Sequence, residues 1–232
     1  IIVNHGVFTA GKLYRLAAKL LYRRYDAVVC VSNKLRSEVK NNLGVDCRVV
    51  PLPMKLELYK PASPGERENV IVHIGTSPIK NPQISIEATK ILRKRGYNIK
   101  LVMIGAPIGI SSDEVVEVRM SPPVVVSRIL CSAKALILPS SYETFSYVTL
   151  EAMACGTPVV VSNAVPEEVV LNNFNGIRVS SFNPEDYANA LERLLLNEEL
   201  WLKLSRNGLE FVKQFDHVWI AKEYEAMIQK VL

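Results

Sequence analysis

Six short runs of β-branched and aliphatic residues, at 70–74, 99–104, 115–118, 135–138, 158–161 and 176–179, are separated by segments long enough to form helices. The runs are apolar at nearly every position rather than at alternate ones. That is the pattern of strands buried on both faces, and such strands belong to parallel sheets covered by helices. Helical periodicity fits 81–95, 124–133, 146–155, 166–172, 184–196, 198–213 and 216–231. Strand and helix alternate until three helices close the chain, so the expectation is an α/β chain built on a Rossmann-like parallel sheet.

A second, shorter α/β stretch precedes it. A strand end at 1–3 is followed by a helical pattern over 11–24, in which Leu13, Leu16, Ala17, Leu20 and Leu21 share one face and basic residues take the other. Ala27–Val31 reads as a buried strand, and Ser32 caps a helix that Gly44 ends. Val45–Val50 reads as another strand. Pro51, Pro53, Pro61 and Pro64 then mark a linker that ends near Arg67. A hydrophobic content of 49% excludes a disordered chain. No apolar run reaches the length needed to span a bilayer.

The net charge of +5 is unevenly placed. Lys12, Arg15, Lys19, Arg23, Arg24, Lys34, Arg36 and Lys40 face only Asp26 and Glu38 in the first 40 residues. Such a stretch is either a solvated helix face or a surface for anionic lipid or a phosphorylated substrate. Cys30, Cys47, Cys131 and Cys155 have no metal-ligand spacing, and Cys30 and Cys131 sit among apolar residues. The expectation is buried, reduced thiols and a cytoplasmic protein, with membrane association through residues 12–40. His5, His73 and His217 are far apart, so no histidine metal site is expected.

Three segments at the carboxyl ends of expected strands carry groups suited to a charged ligand. After the run 70–74 come Gly75, Thr76 and Lys80, which place an ammonium at the mouth of a helix, where free N–H groups also gather. Gly105 ends the next strand. After the run 135–138 comes SYETFSYVTLEAMACGTPVV, with Glu143 in a loop and Glu151 inside a helix. The amides of Thr144, Phe145 and Ser146 open that helix and suit a diphosphate. A buried Glu151 needs hydrogen-bond donors, which paired ribose hydroxyls supply. The alternative is that both glutamates are partly exposed and structural. Paired carboxylates also suit a glycoside hydrolase, but anion-binding loops on an open sheet argue against it. No GxGxxG follows an early strand, and there is neither GxxxxGK[ST] nor GxSxG. Aromatic residues do not interleave with basic clusters, so no nucleic-acid partner is expected.

These segments resemble the retaining, nucleotide-sugar-dependent glycosyltransferases of the GT-B fold, family 4. The resemblance covers nearly the whole chain: AVVCVSNKLRSEVKNNLGV, VVPLPMKLELYKP, VIVHIGTSPIKNP, KLVMIG, ALILPSSYETFSYVTLEAMACGTPVVVSN and GIRV follow in family order. Its most specific part is the Glu-x7-Glu motif joined to EAMACGTPVV. It implies that 1–59 is the end of an acceptor-side domain with the start of a linker, and that most of that domain precedes Ile1. By the same resemblance, 60–215 is a nucleotide-sugar-binding domain and 216–232 a terminal helix packing back toward the N-terminal part. Lys80 would neutralise the donor diphosphate, Glu143 would contact the transferred sugar, and Glu151 would bind ribose. Gly75, Thr76 and the 144–146 amides would complete the donor site, with no metal or other cofactor. The donor would be a UDP-, GDP- or ADP-sugar, and the acceptor a glycan, a lipid-linked molecule or a small molecule. The chain departs from the family at Thr76, where an arginine is usual, and at Thr144, where a glycine is usual. Its spacing from Gly75 to Lys80 is also one residue short. The competing readings are a non-catalytic nucleotide-sugar-binding module that works with a separate acceptor domain and, less well supported by EAMACGTPVV, a nucleotide-sugar epimerase.

Overall fold

The computed structural model describes residues 2–4, 12–110 and 112–230, and the side chains of 2, 3, 16–110 and 112–230. The chain divides into two compact units, Ile1–Lys55 with Gln214–Leu232, and Leu56–Lys213.

In the smaller unit, β1 (Ile2–Asn4), β2 (Val28–Cys30) and β3 (Arg48–Val49) form a parallel sheet in the order 1-2-3. α1 (Lys12–Tyr22) and α2 (Asn33–Leu43) connect them, and α8 (His217–Ile228) packs Ile220 and Met227 against Val29 and Val50. The limits of α2 follow the sequence. Ser32 accepts a hydrogen bond from the Leu35 amide, and Gly44 takes the left-handed conformation that closes the helix. α1 departs from expectation. It buries Ala18 and Tyr22, while Leu16, Leu20 and Leu21 are 56%, 59% and 51% exposed. His5 lies outside the described residues.

The larger unit is a six-stranded, fully parallel sheet: β4 (Val70–Ile74), β5 (Lys100–Gly105), β6 (Val115–Arg119), β7 (Ala135–Leu138), β8 (Val159–Ser162) and β9 (Ile177–Val179). Its spatial order is β6-β5-β4-β7-β8-β9. β7 and β8 are buried at every residue, which is why they read as unbroken apolar runs. The helices are α3 (Pro82–Lys94), α4 (Pro123–Ser132), α5 (Tyr147–Ala154), α6 (Pro184–Leu196) and α7 (Glu198–Phe211). From β4 the chain moves outward through α3 to β5. It returns to β4's other side at β7 and then moves the opposite way through α5 to β8. Right-handed crossovers in opposite directions put α3 and α5 on opposite faces. α6 packs with α3, and α4 and α7 pack with α5.

Two expectations are corrected. Residues 166–172 form turns and no helix, because the buried Asn175 side chain intervenes. Its amide nitrogen donates to the Val169 carbonyl, and its oxygen accepts from the Leu171 amide. These bonds take backbone groups that a helix would use. The cysteines are paired as Cys30–Cys47 and Cys131–Cys155. Adjacent strands bring the first pair to a Cα separation of 5.8 Å. The last turn of α4 and the C-cap of α5 bring the second to 4.5 Å. An apolar environment fits a buried disulfide as well as a buried thiol, so the local sequence could not separate them. The pairing removes the thiol-based argument for a reducing compartment. Among the described residues no helix is long and apolar enough to cross a membrane.

One buried charge ties the helix ends together. Arg67 donates to the carbonyls of Ala133, Cys155 and Gly156 and to the Thr157 hydroxyl, at 2.7 to 3.2 Å. It has no carboxylate partner in these bonds. Its charge faces the negative ends of α4 and α5 and lies 4.9 Å from the Trp201 ring centre. Burial still pushes its pKa down to about 10. Replacing Arg67 by methionine takes the donor from the Ala133 and Cys155 carbonyls and the Thr157 hydroxyl, while the Gly156 carbonyl keeps the Ser205 hydroxyl, and we expect a stability loss of about 3 kcal/mol. Urea unfolding of the two proteins checks this, and a change below about 1 kcal/mol would contradict it.

Candidate functional site

In an open parallel sheet, a crevice forms where neighbouring strands send their connections to opposite faces. Here that place is between β4 and β7. The carboxyl ends of these strands carry the segments 75–81 and 139–151, which hold almost every charged or loop residue singled out in the sequence.

The first segment turns sharply. Gly75 has φ +95°, and a Cβ there would lie 3.0 Å from the Lys80 Cγ, so only glycine fits beneath that side chain. Beyond it, Pro78–Lys80 form a single 3-10 turn that leads into α3. Thr76 donates its hydroxyl to the Ala106 carbonyl at 2.8 Å. A Cβ on Gly105 would come within 2.8 Å of that hydroxyl oxygen, which explains the glycine at the end of β5. The two loops are then laced together. Asn81 donates to the Pro139 carbonyl at 2.9 Å, and the Ser141 amide donates to the Ile79 carbonyl at 2.8 Å. Ser162, at the end of β8, donates to the Ser140 carbonyl.

Across this lacing Lys80 meets Glu143. Its Nζ lies 2.5 Å from Glu143 Oε1, which also accepts the Ser140 hydroxyl at 2.8 Å. Glu143 is nearly buried, and Lys80 is about a quarter exposed. The pair neutralises itself, so an entering anion would have to take Lys80 over from the carboxylate. Thr144 and Phe145 continue the loop, with Phe145 buried beneath it. Ser146 enters α5 in the left-handed region at φ 75°, with its hydroxyl on Thr149 Oγ1 at 2.6 Å. The first turn of α5 carries no acidic residue, so its positive end is not offset there.

Glu151 lies one turn deeper in α5 and is joined by no described hydrogen bond to Lys80 or Glu143. Its Oε1 accepts the Tyr59 hydroxyl at 3.0 Å. Burial raises the Glu151 pKa, and the Tyr59 bond acts in the opposite direction. Tyr147 is also raised, by burial and by the Glu151 charge.

His73 stands behind the first loop, completely buried. Its Nε2 donates to the Gly75 carbonyl at 2.6 Å, which leaves Nδ1 to accept the Ser85 hydroxyl at 2.8 Å. It thus fixes the loop's turning point from inside. Tyr59, Arg67, His73 and Ser140 had not been assigned to the site. Tyr59 lies 92 residues from its partner, and nothing in its local sequence marks it.

Among the described residues no group of three or more His, Cys, Asp or Glu is arranged to hold a metal. A cavity of about 440 Å³ lies elsewhere, lined by Asn69, Tyr97, Lys134, Leu194 and Trp201. Asn69 and Lys134 directly precede β4 and β7, so it opens at the amino edge, remote from the charged loops.

A sequence model described as glycosyl transferases group 1 matches residues 57–211. An uncharacterized glycosyltransferase, MJ1178 of Methanocaldococcus jannaschii, is 28% identical over 82% of this chain and 55% of its own length. MMP alpha-(1->4)-mannosyltransferase of Mycolicibacterium hassiacum is 28% identical over 92% of this chain and 56% of its own. The chain thus spans about half the length of these curated relatives. The structure of Anabaena Alr3699/HepE in complex with UDP-glucose matches with a TM-score of 0.86 at 19% identity, over 98% of this chain and 71% of its own. That likeness places the fold in the GT-B type.

His73 supplies a test of how the first loop is held. Burial, reinforced by the Lys80 charge, pushes its pKa down to about 4 from an ordinary 6.5. Between those values the unfolded chain binds a proton that the folded one refuses. Stability from this group is therefore intact above pH 6.5 and falls by about 1.4 kcal/mol per pH unit on acidification toward pH 4. His73→Gln should lack this component, so its stability difference from wild type should shrink as pH falls across that window. Parallel stability curves in denaturant titrations would contradict it.

Proposed function

The chain belongs to the glycosyl transferases group 1 family, and from that premise we propose that its larger unit is the donor site of a retaining glycosyltransferase using a nucleoside diphosphate hexose. One observation carries this reading. A lysine, a helix N-terminus and a half-buried carboxylate lie on the two segments that flank the switch between β4 and β7. These groups suit, in order, a diphosphate's charge, its oxygens and a ribose diol.

In this reading Lys80 exchanges Glu143 for the donor diphosphate. Gly75 and Thr76 shape the loop beneath it, and the amides of 144–146 receive phosphate oxygens at the positive end of α5. As the bond from the sugar's anomeric carbon to phosphate breaks, negative charge grows on the departing nucleoside diphosphate. Lys80 and the helix end then stabilise the transition state more than the ground state. That gives the leaving group its electrostatic support without a metal ion. Glu143, released from Lys80, is free to accept a hydroxyl of the transferred sugar. The acceptor hydroxyl attacks from the face that the leaving group vacates and gives its proton to the departing phosphate oxygen, which retains anomeric configuration.

The donor nucleotide is UDP, GDP or ADP, with its base toward residues 118–122 beyond the end of β6. The acceptor is a glycan, a lipid-linked molecule or a small molecule. Membrane contact through residues 12–40 is supported by the exposed Leu16, Leu20 and Leu21 of α1, which accompany Lys19 in the helix and Arg23 and Arg24 just beyond its end. Arg36 adds little there, because Asp46 already pairs with it at 2.9 Å.

Calorimetric titration with UDP, GDP and ADP and their glucose, mannose and N-acetylglucosamine conjugates, without added metal, tests the donor site. One nucleotide series should bind. Lys80→Ala and Glu151→Ala should each weaken it by about tenfold or more, the worth of a charge-assisted contact. Folded protein that binds none of them contradicts the proposal.

A further inference from the structure

The segment 56–59 supplies a group that the donor-site reading leaves unused. Leu56–Leu58 form a 3-10 turn, and Tyr59 follows it with its hydroxyl on Glu151. Among the described residues this is the single hydrogen-bond donor to Glu151. Burial disfavours an ionised carboxylate, and among the described residues no cation pairs with this one. It interacts with two titratable groups, Tyr59 from the 56–59 segment and Tyr147 from the first turn of α5, and both phenols are raised and stay neutral near pH 7.

Resting on the ribose-binding reading of Glu151, we propose that Tyr59 is a positioning residue of the nucleotide site, holding Glu151 as an oriented acceptor for the ribose diol. A glutamate side chain has several rotatable bonds, and fixing them on ligand binding costs entropy. The Tyr59 hydroxyl fixes them beforehand through Oε1, and Oε2 is left to accept from the ligand. The same bond favours the ionised carboxylate and so opposes the upward pull of burial on its pKa. An ionised carboxylate only accepts, whereas a protonated one presents a donor where the ligand's hydroxyls also donate.

The sign of the pH effect follows from burial. Glu151 titrates above the usual carboxylate range, so nucleotide affinity is full at higher pH and is lost as pH falls through that raised value. Removing the Tyr59 hydroxyl removes the interaction that opposes burial, and the loss should then begin at a higher pH. A residue that only filled space would weaken binding equally at every pH.

Tyr59→Phe keeps the ring and deletes the hydroxyl. The experiment is calorimetric titration of wild type, Tyr59→Phe and Glu151→Gln with UDP, GDP and ADP from about pH 5 to about pH 8. Near neutral pH, Tyr59→Phe should bind about three- to tenfold more weakly, and its affinity should fall off at a higher pH than that of wild type. Glu151→Gln should bind weakly and keep only the pH dependence that the nucleotide's own terminal phosphate brings to every variant. Unchanged or tighter binding by Tyr59→Phe, or a uniform loss without displacement of the pH profile, overturns the role of Tyr59. If instead Glu151→Gln binds like wild type, or wild type binds no nucleotide, the ribose-binding reading itself falls and takes this inference with it. A melting temperature for each variant shows that the comparison is between folded proteins.

Discussion

Arg67 is the buried charge on which the larger unit's functional helix depends. An unpaired guanidinium in an apolar interior would be costly, and this one is compensated by carbonyls at helix C-termini. It therefore fixes the ends of α4 and α5 against the start of the sheet, and Cys131–Cys155 joins the same two ends covalently. α5 is anchored at its negative end and offers its positive end to the crevice between β4 and β7. Glu151 and the loop 143–146 take their places from that anchoring.

The crevice uses the same economy of fixed dipoles and few charges. His73 holds the carbonyl of Gly75 from within the core, and Gly75 in turn leaves room for Lys80. Asn81 and Ser141 bind the two loops into one rim. The ion pair of Lys80 with Glu143 stores both charges in compensated form. In the proposed function a diphosphate and a sugar hydroxyl would separate them, so donor binding would also arm the carboxylate. The contrast with the cavity at the amino edge is instructive, because concavity alone would have pointed to Trp201 and Tyr97. Topology and charge point to the opposite edge.

Much of this was legible in the sequence. The inner strands β7 and β8 declared themselves because both faces are buried, and α2 announced its limits with Ser32 and Gly44. Gly75, Lys80, Glu143 and Glu151 were recognisable as residues gathered at strand ends, and the structure does bring Lys80 and Glu143 into contact. What escaped were specific side-chain pairings. Asn175 turns 166–172 away from helix by a side-chain clamp that periodicity does not register. Arg67 looked like the last residue of a linker, although its partners lie 66 to 90 residues away. Tyr59 was hidden for the same reason, and the cysteine pairs because an apolar setting suits a thiol as well as a disulfide. The leucines of α1 share a face as read, but that face is exposed among the described residues, since periodicity says which residues align and not what covers them.

The central claim is that a nucleoside diphosphate binds where the connections of β4 and β7 part. Amide hydrogen exchange with and without UDP, GDP or ADP at saturation tests it most directly. The account predicts slowed exchange in 75–81 and 144–151. Protection confined to the amino-edge cavity, at 64–69, 97–99 and 194–201, would contradict it.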